Sequence, residues 1–423
     1  MADFFSPFVQ FYSLIWKLFL ATWWFLCPII LAAAFRVLWL KYALNRYLSS
    51  IEYVLLEIKP PRNIEKSPRI MEQVFAGLHG CWSTPNHIEY YIQGKQYQAM
   101  FSFEILGING EMHFYVRCQK KLRNFTEALI YAQYPEAEIV EAEDYTQKVP
   151  RNIPNAEWNL WGTDYKFAKD DAYPIRTYKY FQEDVTKGMI DPIGTIADII
   201  AALPPGHQIW FQMLAVPVAD SEWSDKVKKV ADKLAKREAK KEKLAIVRFF
   251  TEIYDIVKDS VRSLWGPVEP SKEEKKEEKP LLWTLTPVEQ EVLKVVEESL
   301  DKKACLTKLR LLYLGERDVF DKGYFYGVAG AIFQLNDANL NSLLQDAKTK
   351  TFAGYFLADM RQRWAQRKIF NRYLDRDNDG PNMYLNSEEL ATIYHMPDIS
   401  VVSPSIARVE AKKGGPPINL PIE

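Results

Sequence analysis

Residues 97–116 read YQAMFSFEILGINGEMHFYV, and the fold turns on this stretch. Apolar and polar residues partly alternate up to Ile108, the pair Asn109-Gly110 follows, and Met112, Phe114 and Val116 alternate on the return. Alternation at period two sends one set of side chains to one face of a strand, and Asn-Gly accepts the positive φ angles of a type I′ turn. The stretch reads as an antiparallel hairpin.

Outward from the hairpin, residues 52–59 read as a strand. Ser67-Pro68 offers an N-cap and a first-turn proline to a helix whose face carries Met71, Val74, Phe75 and Leu78, with Gly80 as its stop. On the other side, Leu122, Phe125, Leu129 and Ile130 mark a second helix closed by Pro135, and residues 137–141 a last strand. Strand, helix, hairpin, helix, strand is the order of a ferredoxin-like unit, here at 50–150. A second such unit is expected at 170–345. Its parts are a strand at 174–181, a helix capped by Asp191-Pro192 and running to Leu203, and a strand at 208–216. After an insertion come a helix opened by the capping box Thr286-Pro287-Val288-Glu289, a strand at 306–314 and a helix at 324–335.

The insertion, at 220–280, reads as a long helix over 220–265 followed by a tether. Residues 226–243 hold nine basic and three acidic side chains, a pattern that suits a solvated face, an anionic membrane surface or a partner. Residues 267–280, with EEKKEEK at their centre, carry too little apolar surface to order themselves.

At the N-terminus, residues 18–35 read LFLATWWFLCPIILAAAF without a charge. As a helix they rise about 27 Å, close to the roughly 30 Å hydrocarbon core of a bilayer. A cleavable signal would need a basic segment before the apolar run, and no basic residue precedes Lys17. The expectation is a membrane anchor at 1–48, spanning at about 18–40. Arg36, Lys41 and Arg46 follow the span, which by the positive-inside rule puts the body in the cytoplasm. The expected fold class is α+β: an N-terminal transmembrane helix followed by two ferredoxin-like α/β sandwich units, the second interrupted by a long helical insertion.

Fifty-four basic against fifty-five acidic residues leave no global field, so any contact with nucleic acid or lipid must be local. Cys27, Cys81, Cys118 and Cys305 are scattered without a CxxC pair, which suits a reducing compartment and neither a zinc site nor a disulfide framework. There is no GxxxxGK[ST] phosphate cradle and no HExxH. Gly327 and Gly330 suit close helix packing, and Glu141, Glu143 and Asp144 a solvated strand end. No catalytic set, cofactor site or cofactor is expected.

Residues 346–384 read as a basic helix and an acidic turn. Arg361, Arg363, Arg367, Lys368 and Arg372 occur without an acidic residue among them, interleaved with Trp364 and Phe370. Arginines beside aromatic rings suit single-stranded nucleic acid, where cations meet phosphates and rings stack on bases. Asp375, Asp377 and Asp379 with Gly380 resemble the opening of an EF-hand loop, but the twelfth position is Asn386 where a bidentate Glu belongs. They are at most a weak calcium or magnesium candidate. Residues 385–423 read as a bridge and extended tail in which Ile418, Leu420 and Ile422 alternate, as strand addition to a partner sheet would need.

Taken in order, ILGINGEMHF (105–114), YAQYPEAEI (131–139), DPIGTIA (191–197), PPGHQIWFQ (204–212) and LNSEELATIYHMP (385–397) resemble the N-terminal half of membrane-anchored type IV secretion or conjugation coupling-type ATPases (HerA/FtsK-like) of candidate-phyla bacteria. The likeness covers most of residues 53–421. In that family the segment after this region enters a P-loop motor domain, whereas here the chain stops at Glu423. The resemblance implies a non-catalytic accessory subunit that docks a separate P-loop ATPase at the membrane. DNA or protein would be the cargo, and copies of the body would gather around the motor. A membrane-tethered scaffold or pilus-assembly adaptor with no nucleic-acid role is the alternative.

Overall fold

The structure is a computed structural model that describes residues 2–61, 67–181, 191–235 and 285–397. Helix α1 (Ala2–Ser49) is continuous through Pro28. Its stretch Phe19–Ser49 is long and apolar enough to cross a bilayer, with mean hydropathy 1.8 and no share of the apolar window buried in the protein.

The hairpin is present. Asn109 (φ 52°) and Gly110 (φ 85°) both lie in the left-handed region, as a type I′ turn demands. They join β2 (Phe101–Ile108) to β3 (Glu111–Gln119). Strand β1 (Tyr53–Lys59) pairs with β3, and β4 (Glu138–Glu141) with β1, all antiparallel. Helices α2 (Arg69–Gly77) and α4 (Arg123–Gln133) cover one face, and the short α3 (His87–Tyr91) lies in the loop before β2. Phe75 meets Phe103 edge-on at 4.8 Å in a core with Leu56, Val116 and Ile130. The order β4-β1-β3-β2 is that of a ferredoxin-like unit.

The second unit repeats this order. Strands β5 (Trp158–Phe167), β6 (His207–Pro217), β7 (Ala304–Glu316) and β8 (Leu343–Gln345) run β6-β7-β5-β8 across the sheet. The second strands of the two units, β2 and β6, pair antiparallel from Phe101↔Ala215 to Ile108↔Gln208. The two units therefore share one continuous sheet, related head to head across that seam.

The first strand of this unit departs from expectation. Residues 174–181 form no strand, only a 3-10 turn at Tyr178–Phe181, and Pro174 has no N–H to give a ladder. The true first strand, β5, starts twelve residues before the expected boundary at 170. It escaped the pattern because six consecutive positions, Leu160 to Tyr165, are covered on both faces, and Gly162, Thr163 and Asp164 among them break any apolar run or alternation. A Cβ on Gly162 would lie 2.3 Å from Leu312 Cδ2 and 3.2 Å from the Leu311 carbonyl oxygen, so a side chain here would displace Leu312 where β5 meets β7.

Helix α5 (Pro192–Ala201) starts on the Asp191 cap. Helices α6 (Asp220–Leu234) and α7 (Pro287–Glu298) pack together through Trp223, Val227, Val292 and Val296, the latter opened by the expected Thr286–Glu289 capping box. Most of the expected long insertion helix and its charged tether, 236–284, lie outside the described residues. Helix α8 (Gly323–Phe333) packs on α5, and Gly327 faces Ile199 there, a packing role as expected.

Past β8 the basic helix expected within 346–384 starts late: residues 346–357 are irregular, and α9 (Ala358–Leu374) follows Leu357, whose φ is 54°. Residues 385–397, expected to open a bridge, belong instead to the body, and the rest of the expected tail lies outside the described residues. Strand β9 (Met383–Asn386) pairs with β7, and every residue of α10 (Ser387–Ile393) is buried. Asn386 and Glu389 form a capping box, and His395 bonds buried Asp191 at 2.8 Å. Residues 385–397 thus complete the body's core, because Leu385, Leu390 and Ile393 supply apolar surface that the helix layer lacks.

Candidate nucleic-acid interface

Helix α9 is held from beneath by a row of polar residues that crosses the seam. Register places Tyr115, Glu104, Gln212, Arg310 and Asp164 side by side on β3, β2, β6, β7 and β5. Arg310 donates to Asp164 Oδ1 (2.8 Å), Gln212 Oε1 (3.0 Å) and the carbonyls of Arg372 (2.8 Å) and Asp377 (3.2 Å). Gln212 donates to Glu104 Oε1 and to Tyr373 O, both at 3.2 Å. Arg376, in the left-handed region at φ 50°, spans from Glu104 to Asp144. Tyr145 donates to Glu104 at 2.7 Å and meets the Tyr373 hydroxyl at 2.8 Å. Burial alone would raise the Glu104 carboxyl. The Arg376 guanidinium, Ser102 and Tyr145 outweigh it and leave the group below its ordinary value.

The buried face of α9 (Gln366, Ile369, Phe370 and Tyr373) packs on this platform, with Trp210 5.3 Å from Tyr373 and 6.2 Å from Phe370. Phe370 is therefore a core residue and no stacking ring. The helix's other face carries the candidate contacts. Arg361, Arg363, Trp364, Arg367 and Lys368 are exposed, and Lys368 Nζ sits over the Trp364 ring at 4.6 Å. Among the described residues, no carboxylate pairs with any of these four cations. Arg372 leaves the set: it is half-buried and turns toward Asp377, 3.8 Å away. Beside the basic face, Phe352, Tyr355, Phe356, Leu357 and Met360 are also exposed, Tyr355 at 87%. Side-chain identity alone did not show this apolar neighbour, since residues 352–357 carry no helical or strand period.

The position of α9 in the molecule follows from its contacts. Gln366 donates to Leu160 O at 2.6 Å, at the end of the sheet that holds the Asn109-Gly110 turn. Helix α1 joins the opposite end, where β1 begins and Tyr53 faces Gln119. The seven steps of β2 between those ends measure about 23 Å at ~3.3 Å each.

The acidic turn does not gather its carboxylates. Asp377 accepts from the Asp379 N–H at 2.9 Å, while Lys308 Nζ donates to Asn378 O (3.1 Å) and to Asp379 O. A built-in ammonium thus meets the carbonyls that a cation would need, and burial lowers that lysine to about 8 despite Asp164 nearby. Among the described residues no group of three or more His, Cys, Asp or Glu could hold a metal. Asp375, Asp377 and Asp379 form no such group in this structure. Glu141 and Asp144 are likewise separated, one paired with Arg123 and the other with Arg376. The expected docking strip Ile418, Leu420 and Ile422 lies outside the described residues.

Sequence reasoning missed Glu104, Gln212, Arg310, Asp164 and Arg376. A signal existed, since Glu104 and Arg310 stand inside otherwise apolar strand runs, where a charge must be paired to be tolerated.

Fold and site together define an α+β body of two ferredoxin-like units behind an apolar N-terminal helix, with a basic, aromatic helix on its far end. A family described as a domain of unknown function (DUF8128) matches residues 46–409, and the chain belongs to that family. No curated protein matches the chain.

Proposed function

We propose that the protein is a membrane-anchored, non-catalytic accessory subunit of a type IV secretion- or conjugation-like translocation machine. In this reading α1 spans the membrane, the body lies in the cytoplasm, and α9 receives single-stranded DNA that a separate P-loop ATPase drives. The observation that carries the reading is the exposed, acid-free group Arg361, Arg363, Arg367 and Lys368 around Trp364. Cations without local counter-charge leave their full attraction for phosphates, and an exposed indole can stack on any base. The link to a P-loop motor rests on the sequence resemblance, and the sidedness on Arg36, Lys41 and Arg46.

The test is binding of a fluorescent oligo-dT to the detergent-solubilised full chain across a salt series. Binding should weaken steeply with salt, and each of the four substitutions to Gln should lower the log–log slope by about 0.7. Arg372→Gln should change the slope little, because that side chain faces Asp377. Binding unchanged in the quadruple variant would overturn the nucleic-acid role. The exposed Phe352, Tyr355, Phe356 and Met360 favour the scaffold reading in that event, with this face taking a protein partner.

A further inference from the structure

We infer that the segment 87–92, with α3 at its centre, is a second membrane contact. It sets Ile88 and Ile92 into the bilayer interface beside the point where α1 emerges. The inference rests on α1 as the membrane span and adds to it a surface of the body.

Trp39 Nε1 donates to Tyr91 O at 2.8 Å, and Arg36 reaches the Tyr91 hydroxyl at 3.4 Å with its guanidinium 5.9 Å from the ring centroid. Gln96 Nε2 donates to Leu40 O at 2.9 Å. Gly94 presses on Ala43, where a Cβ would come 2.1 Å from the Ala43 carbonyl oxygen. From Arg36 to Ala43 the helix rises about 10 Å, so between Tyr91 and Gly94 the loop steps away from the span. Segment 87–92 is its membrane-side end. Arg36 is the first charge after the uncharged run 18–35, so Tyr91 stands at the depth where hydrocarbon gives way to headgroups.

Chemistry agrees with placement. Helix α3 has no buried residue, so it contributes nothing to the core. Ile88 and Ile92, four apart on one face, are 61% and 62% exposed. Glu89, the acidic residue of α3, is drawn off that face: it accepts from Asn86 N at 2.9 Å and from Lys95 Nζ at 3.3 Å. What remains outward is Ile88 and Ile92 with the uncharged Gln93 and with His87, which stacks on Tyr91 at 6.3 Å, beside Trp39 and Tyr42; isoleucines among amphipathic rings suit a membrane interface. With α1 as one attachment and this segment as another, the body cannot rotate freely about the helix.

The test uses the full chain in phosphatidylcholine–phosphatidylglycerol vesicles, with Cys27→Ser and Cys81→Ser as background. An environment-sensitive fluorophore is placed through Ile88→Cys, Ile92→Cys or Glu111→Cys, position 111 lying at the far end of the sheet. Flotation with the vesicles reports on α1. Quenching by brominated lipid reports on segment 87–92. The expected result is flotation of all three proteins, with quenching at 88 and 92 several-fold stronger than at 111. Flotation with equal, weak quenching at all three sites would overturn the inference and leave the span standing. Blue-shifted emission at 88 and 92 without lipid quenching would assign the surface to a protein and overturn it too. Failure to float would remove the span and this contact together.

Discussion

Glu104 is fully buried in β2, and what keeps it ionised there is Arg376, which arrives from the far end of the described chain. Breaking a buried pair on one side leaves an uncompensated charge and costs about 3–5 kcal/mol, whereas replacing both partners with apolar groups of similar volume can be nearly neutral. Arg376→Met should therefore lower the thermal midpoint of the solubilised chain well below that of the double variant Glu104→Leu, Arg376→Met. The pH dependence separates these cases further. In the native protein the Glu104 carboxyl sits below its ordinary value of 4.5, so its stabilisation is complete above that pH and is lost as pH falls through the lowered folded value. In Arg376→Met the same carboxyl is buried without its cation, which pushes it up. That variant should gain stability relative to the native protein as pH falls from about 7 to about 5, because its folded state then takes up the proton that burial demands. Parallel pH profiles for the two proteins would show that Arg376 does not govern the Glu104 proton.

At the scale of elements, legibility followed local patterning. The β2–β3 hairpin could be read because Asn109-Gly110 fixes the turn and alternation fixes the faces, and the Thr286–Glu289 and Asp191-Pro192 helix starts because cap chemistry is local. Strand β5 was hidden because its fit depends on Gly162 meeting Leu312 and on Asp164 meeting Arg310, partners about 150 residues away in sequence that no local period reveals. The same holds for α10, whose burial is decided by the helix layer it completes. The candidate site was half legible: residue type marked the α9 cations, but only packing showed Phe370 facing inward and Arg372 turned to Asp377. The contact of α1 with the loop was not legible at all, since Gly94 gave no local sign of its close approach. Its φ is 75° and a Cβ would strike the Ala43 carbonyl, so Gly94→Val should part the loop from α1 without unfolding the sheet. The expected outcome is faster proteolysis at 82–100 and near 49–52, with the thermal midpoint of the body nearly unchanged. An intact loop at the native cleavage rate would mean that Gly94 is not the wedge described.

At the scale of the molecule, two ferredoxin-like units pair their second strands, and the whole becomes one sheet with β4 and β8 at its outer ends. The polar row and the C-terminal segment both cross the seam, so the units are locked by the parts that belong to neither repeat: α9 on one face, and β9 with α10 continuing from β7 into the helix layer. This arrangement puts the two proposed contact surfaces at opposite ends of the sheet. Helix α1 and segment 87–92 share one, and the N-terminal half of α9 occupies the other, about 23 Å along β2 by strand rise. Exposed charges separated by more than about 8–10 Å of physiological saline are largely screened from each other. If the two ends act independently, binding of oligo-dT by the full chain in nanodiscs should have the same affinity and salt slope in neutral phosphatidylcholine as in lipid containing phosphatidylglycerol. A basic face turned toward the bilayer would behave otherwise, because anionic headgroups would compete with the oligonucleotide and flatten its salt dependence. Binding lost on adding anionic lipid, and restored in detergent, would mean that the strands lie along the membrane and that the α9 cations meet lipid. Equal binding in both lipids would place the nucleic-acid face on the side from which a soluble partner approaches.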